Sequence, residues 1–156
     1  MPIYTTCGAC GCTELVLFQH GDFVLASKAK STWKIECDAL TPEDWHGLAQ
    51  MAMQFLDRPF SAVYGVPWGG MPLAEALRPW ATGNKNDPAL VVDDVWTTGG
   101  SMRRFITDMH VDRKFGEHFG LVVFARNTPE PWVTALFQMP SAYRKQVTHA
   151  VAGRTK

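Results

Sequence analysis

The stretch from Ala89 to Ser101, ALVVDDVWTTGGS, constrains the fold more than any other part of the chain. Its first four residues are all apolar, with no alternation between two faces. Such a run asks for a strand buried on both sides, which is the setting of a parallel sheet covered by helices. The run ends on two acids, Asp93 and Asp94, crosses a glycine-rich turn and enters a helical pattern from about Ser101 to His110. The same order of strand, loop and helix occurs earlier, with Ala62 to Val66, the turn PWGG and a helix from about Pro72 to Leu77. It begins again with Leu121 to Ala125, followed by ARNTPEPW and a last short strand from Val133 to Phe137. This alternation predicts an α/β fold with a mainly parallel central sheet flanked by helices. Ligands of such sheets bind beyond the carboxyl ends of the strands. The loops PWGG, DDVWTTGGS and ARNTPEPW all leave strands at that edge.

The N-terminal part reads differently. Glu14 to His20 reads as a short helix closed by Gly21, and Phe23–Leu25 and Trp33–Cys37 as two strands around the link SKAKST. Thr41, Pro42, Glu43 and Asp44 form a strong helix start, with a cap, a proline for the first turn and acids at the positive helix end. That helix is expected to run to about Leu56 and to bury Leu48, Met51, Ala52 and Phe55. No internal repeat is present, and 156 residues suit one domain. Within it, residues 1–40 form an N-terminal segment and residues 143–156 a polar tail.

Fifteen basic residues balance fifteen acidic ones, which gives no support to a non-specific nucleic-acid surface or a polybasic membrane patch. No apolar run approaches the ~20 residues of a membrane helix. The first residues carry neither the basic nor the apolar region of a signal peptide, so a soluble, cytoplasmic protein is expected. The cysteines Cys7, Cys10 and Cys12 have a spacing compatible with zinc, with Cys37 or His20 to complete a set. The plainer alternative is a segment of reduced thiols, because structural zinc sites usually pair two ligand clusters and here there is one.

The chemistry lies in the three loops. In TTGGS, glycines let successive N–H groups turn inward, a helix N-terminus adds partial positive charge, and Thr97, Thr98 and Ser101 add hydroxyls. The group that fits best is a phosphate monoester, against the plainer reading of an ordinary turn capped by Ser101. Two carboxylates beside such a site would repel a phosphate in contact with them. They suit other parts of the same ligand: vicinal ribose hydroxyls, which donate to carboxylates, or a magnesium ion. The spacing therefore describes a ribose 5-phosphate, with the sugar on Asp93 and Asp94 and the phosphate on Thr97, Thr98, Gly99, Gly100 and Ser101. A Walker loop is not present, because its Gly-Lys-Ser/Thr end is missing.

LVVDDVWTTGGS closely resembles the phosphoribosyl-pyrophosphate (PRPP) motif of type I phosphoribosyltransferases. GDFVLASKAKSTWKIECDALT is similar to the N-terminal hood hairpin of orotate phosphoribosyltransferases, whose pattern is roughly F-x-L-x-S-G-x-x-S-x-Y. YGVPWGGMPLAEAL resembles their pyrophosphate loop, and VFARNTPE the strand end that carries an arginine near the base. The resemblance runs from about Gly21 to Pro129. It implies a type I phosphoribosyltransferase fold, magnesium dependence, a homodimer, and transfer of ribose 5-phosphate from PRPP to a nucleobase with release of pyrophosphate. An orotate-type base is favoured. Another base, or a PRPP- or nucleotide-binding protein without turnover, is the alternative.

The resemblance also assigns roles. Asp93 and Asp94 hold the ribose and, through water, magnesium. Trp68, Gly69 and Gly70 bind pyrophosphate through their amides, in a turn where the family carries a strained peptide. Arg126 binds the base. The family also has a long basic lid between the pyrophosphate loop and the PRPP strand, but here only PWATGNKND separates Arg78 from Pro88. Lys85 is its one lysine, and it is expected to serve catalysis. A lysine the family places before the hairpin serine is Ala26 here, so Lys28 and Lys30 are expected to supply its charge to the pyrophosphate. Trp68 and Trp96 sit in the ligand loops, each suited to wall the site or stack on a base, against the plainer reading of hydrophobic closure of the rim. The other tryptophans are expected in the core.

Overall fold

A computed structural model describes residues 3–25, 28–111 and 116–140. The described chain forms two compact units: Pro42–Met139, and the N-terminal residues to Thr41 together with Pro140.

The larger unit is built on four parallel strands: β5 (Val63–Gly65), β6 (Ala89–Trp96), β7 (His118–Ala125) and β8 (Val133–Gln138), in the spatial order β5-β6-β7-β8. α1 (Pro42–Phe55), α2 (Met71–Leu77) and α3 (Gly100–Val111) accompany them. The apolar runs behave as a doubly covered sheet requires. Leu90, Val91, Val92, Leu121, Val122 and Val123 are fully buried. One core cluster joins Val91 and Val122 to Met102 and Ile106 of α3 and to Trp96. β6 is longer than its hydrophobic run. It continues through both acids to Trp96, carried by its ladder with β7 as far as the pair Trp96 and Ala125.

The face that α1 buries is turned slightly from the one expected. Trp45, Ala49 and Ala52 are buried, whereas Phe55 is 57% exposed. Trp33 and Trp45 are buried, while Trp80 and Trp132 are half-buried.

The smaller unit is made of two antiparallel hairpins. β1 (Tyr4–Thr6) pairs with β2 (Thr13–Leu15), and β3 (Phe18–Val24) pairs with β4 (Lys30–Ile35). The helix expected from Glu14 to His20 is therefore absent. Thr13–Leu15 and Phe18–Val24 lie in strands, because ladder partners outweigh a weak local preference in so short a segment. Gly21 is not a helix cap. It sits where the register of β3 against β4 shifts between His20 and Phe23, a bulge of the kind glycine accommodates. Cys7, Cys10 and Cys12 lie in the turn of the first hairpin, where Cys7 N–H donates to Cys12 O at 2.8 Å. Cys7, Cys10 and Cys12 are exposed and Cys37 is buried. Among the described residues, no group of three or more His, Cys, Asp or Glu side chains is placed to hold a metal ion. No helix among them is long and apolar enough to cross a membrane. The polar tail from residue 143 lies outside the described residues.

Candidate active site at the carboxyl edge of the sheet

Because β5, β6 and β7 are parallel, the loops that follow them emerge at one edge. The first, Val66 to Gly70, is folded tightly against β6. Val66 N–H donates to Val92 O at 2.8 Å, and Gly70 N–H donates to Val66 O at 2.9 Å. A Cβ on Gly70 would lie 2.2 Å from Val92 O, so only glycine permits this approach. The peptide between Pro67 and Trp68 is cis. Gly70 N–H is committed within the turn, so the amides left for an anion are those of Trp68 and Gly69. The Trp68 side chain is 88% exposed.

The same turn brings Asp94 into the site. A Cβ on Gly69 would meet the Asp94 carboxyl carbon at 2.5 Å and both its oxygens at 2.6 Å. The Asp94 carboxylate thus packs directly on the glycine turn after β5. Successive residues of a strand face opposite sides of the sheet, so Asp93 points elsewhere. It is buried, and it accepts a hydrogen bond from Asp94 N–H at 2.9 Å. Burial, with the Asp94 carboxylate as second cause, pushes the Asp93 carboxyl up to about 8. The two acids are consequently not equivalent. Asp94 is partly open, and it accepts from Val95 N–H at 2.7 Å. Asp93 is a buried acid whose ionised form lacks a compensating charge among the described groups that shift it.

Thr97 to Ser101 follow β6 and lead into α3, whose twelve residues begin at Gly100. Gly99 has φ +77, and a Cβ there would collide with the Trp96 indole at 2.2 Å. Trp96 is buried to 3% and meets Trp132 edge to face at 6.3 Å between ring centroids. This corrects the expectation for Trp96: its ring lies beneath the loop as support and does not wall a ligand space. The carbonyls of the loop are held from the protein side. Asn127 Nδ2–H donates to Thr97 O at 2.8 Å, Arg103 Nη2–H to Thr98 O at 2.7 Å, and Arg103 N–H to Gly99 O at 3.0 Å. Arg103 is in turn ion-paired with Glu130, which also accepts the Trp132 indole N–H at 2.6 Å. That indole hydrogen bond first, and Arg103 after it, hold the Glu130 carboxyl below its ordinary range.

Arg126 follows β7 directly. Its side chain is buried, and burial lowers the guanidinium from its usual value without taking the charge away near neutral pH. Its N–H donates to Trp96 O at 2.8 Å, so it shares the edge with the phosphate-type loop.

One expected site residue, Lys85, is not brought there. Lys85 lies in a turn before β6, where Asp87 N–H donates to Asn84 O at 3.0 Å and Asn84 N–H to Thr82 Oγ1 at 3.2 Å. That is the amino-terminal end of β6, and the strand's eight residues, at about 3.3 Å each, separate it from the ligand edge. Lys85 therefore stands apart from the three loops at the carboxyl edge. Lys28 and Lys30 are exposed and belong to the smaller unit, Lys28 at φ 63 in the link and Lys30 at the start of β4. The residues that sequence reasoning missed are Asn127, Arg103 and Glu130. Only the position of Asn127, next to Arg126 at a strand end, hinted at a role.

No protein-family model matches the chain, and no curated protein does. Solved structures do match. Orotate phosphoribosyltransferase from Aeropyrum pernix aligns with a TM-score of 0.63 at 22% identity, over 87% of this chain and 93% of that one. The orotate phosphoribosyltransferase of Mycobacterium tuberculosis aligns with a TM-score of 0.58 at 19% identity, over 78% of this chain and 89% of that one. That of Francisella tularensis aligns with a TM-score of 0.57 at 13% identity, over 87% and 93%. The chain therefore has the type I phosphoribosyltransferase fold.

Proposed function

We propose that this protein transfers ribose 5-phosphate from PRPP to the ring nitrogen of an orotate-type base and releases pyrophosphate. The observation that carries the reading is the convergence of three loops at one sheet edge, with the Asp94 carboxylate packed on Gly69. Ribose hydroxyls meet Asp94, whose main-chain N–H is held from behind by Asp93, and the 5-phosphate lies on Thr97 to Ser101. Pyrophosphate is held by the amides of Trp68 and Gly69. Arg126 offers paired donors suited to a carboxylate or ring carbonyl of the base.

In the reaction the bond from C1 to the pyrophosphate oxygen breaks as the bond from C1 to the base nitrogen forms. The sugar carbon becomes oxocarbenium-like on the way. Positioning and charge stabilisation are the enzyme's main tools. The donor set also fits magnesium, which takes one or two protein carboxylates and completes its shell with substrate phosphates and water. Asp94 would hold it, and when bound it would neutralise charge on the departing pyrophosphate. The resemblance in the loops brings a homodimer with it as the expected assembly.

One observation favours a second reading, a PRPP-binding protein without turnover. Lys85 is the one lysine of the short segment between α2 and β6, and it lies at the far end of the strand. Calorimetric titration with PRPP and magnesium tests the shared part of both readings. Asp94→Asn should weaken PRPP binding at least about tenfold, since a charge-assisted contact is lost. Unchanged affinity would remove the ribose and metal assignment.

A further inference from the structure

We propose that Asn127 and Arg103, with Glu130 behind Arg103, are positioning residues that set the phosphate loop in its anion-binding conformation. The inference rests on the functional reading above and adds to it the groups that shape the 5-phosphate site. In a trans peptide the C=O and the following N–H point in opposite directions. Fixing three successive carbonyls therefore fixes three successive amides. Asn127 holds Thr97 O, the Arg103 guanidinium holds Thr98 O, and the Arg103 main chain holds Gly99 O. The N–H groups of Thr98, Gly99 and Gly100 are thereby turned away from those holders, as an anion nest requires. Gly99, at positive φ over the Trp96 indole, is the one position where this curl needs glycine.

Arg103 acts here through direction rather than charge. Its guanidinium is engaged by Glu130 on one side and by Thr98 O on the other. Glu130 is anchored by the Trp132 indole, whose ring also braces Trp96. The loop after β7 thus latches the loop after β6. Because Asn127 adjoins Arg126, the base-reading strand end and the phosphate loop form one connected piece.

The test uses the full chain, with ribose 5-phosphate and PRPP as probes in calorimetry and steady-state kinetics. Asn127→Ala and Arg103→Met should each weaken ribose 5-phosphate binding about tenfold, the usual scale for losing an orienting hydrogen bond that the ligand depends on. KM for PRPP should rise in step while kcat stays within about twofold. Arg103→Lys, which keeps a donor for Thr98 O, should recover part of the loss. Glu130→Gln separates direction from charge, and it leaves an acceptor for Trp132, so the local packing is kept. Removing a negative charge near the site would tighten phosphate binding if Arg103 acted by charge alone. The latch predicts weaker binding instead. Tighter or unchanged binding in Glu130→Gln, or unchanged binding in variants that melt like the wild type, overturns the latch. If the wild type itself binds neither probe, the functional reading fails and the latch falls with it. Wild-type binding with indifferent variants sinks the latch alone.

Discussion

Side chains at 93 and 94 leave β6 on opposite faces, and this geometry gives two adjacent carboxylates different chemistry. Asp94 rests on Gly69 and is partly open, while Asp93 is buried and its carboxyl is pushed up to about 8. An acid raised in the folded state stabilises the fold while it stays protonated. That contribution is complete below the ordinary value of 3.8 and is lost as pH rises through about 8. Inside this window the fold should lose up to about 1.4 kcal/mol per pH unit from this one group. Urea denaturation from pH 5 to pH 9 should show wild-type stability falling relative to Asp93→Asn, with the two curves becoming parallel again above the upper limit. Parallel curves throughout would place the proton elsewhere. The two acids at a strand end and the glycine turn that follows them were legible in the sequence, because a buried apolar run, its end and a glycine turn are local features. The inequality of the acids was not, because it depends on burial and on where the glycine turn after β5 closes. Asn127, Arg103 and Glu130 were invisible for a related reason: their bonds join residues up to thirty positions apart.

Among the elements, β6, β7 and β8 follow their apolar runs, and the helices α1 to α3 begin close to their expected starts. β6 runs four residues further than its hydrophobic stretch because ladder bonds with β7 continue regardless of side-chain polarity. The segment from Glu14 to His20 shows the opposite limit. Read alone it resembled a short helix closed by Gly21, but antiparallel partners make it two strands. The turn before β6 supplies a prediction at this scale. Lys85 stands at the amino end of the strand, so Lys85→Ala should leave PRPP affinity and any turnover within about twofold of wild type, as for surface changes away from a site. A large loss in either measurement would mean that this turn reaches the ligand edge after all.

At the scale of the whole molecule, a known fold carries the candidate site. The fold matches solved orotate phosphoribosyltransferases over most of their length, at identities where likeness extends to architecture alone. The proposed function rests on the site: an acid packed on the glycine turn after β5, a braced loop before α3 and a buried arginine at a third strand end. Closure over a leaving group excludes water and completes its electrostatics. The segment from Arg78 to Pro88 is short for that task, so binding and turnover have to be told apart by experiment. The decisive measurement is pyrophosphate release from PRPP and magnesium, followed in parallel with and without orotate and across a panel of other bases. The account predicts release that depends on orotate or a related oxo- or carboxyl-bearing base, with the matching nucleotide formed in equal amount and lost in Asp94→Asn. PRPP binding with no base-dependent release from any member of the panel would contradict it, and would leave a protein that binds PRPP without transferring its sugar.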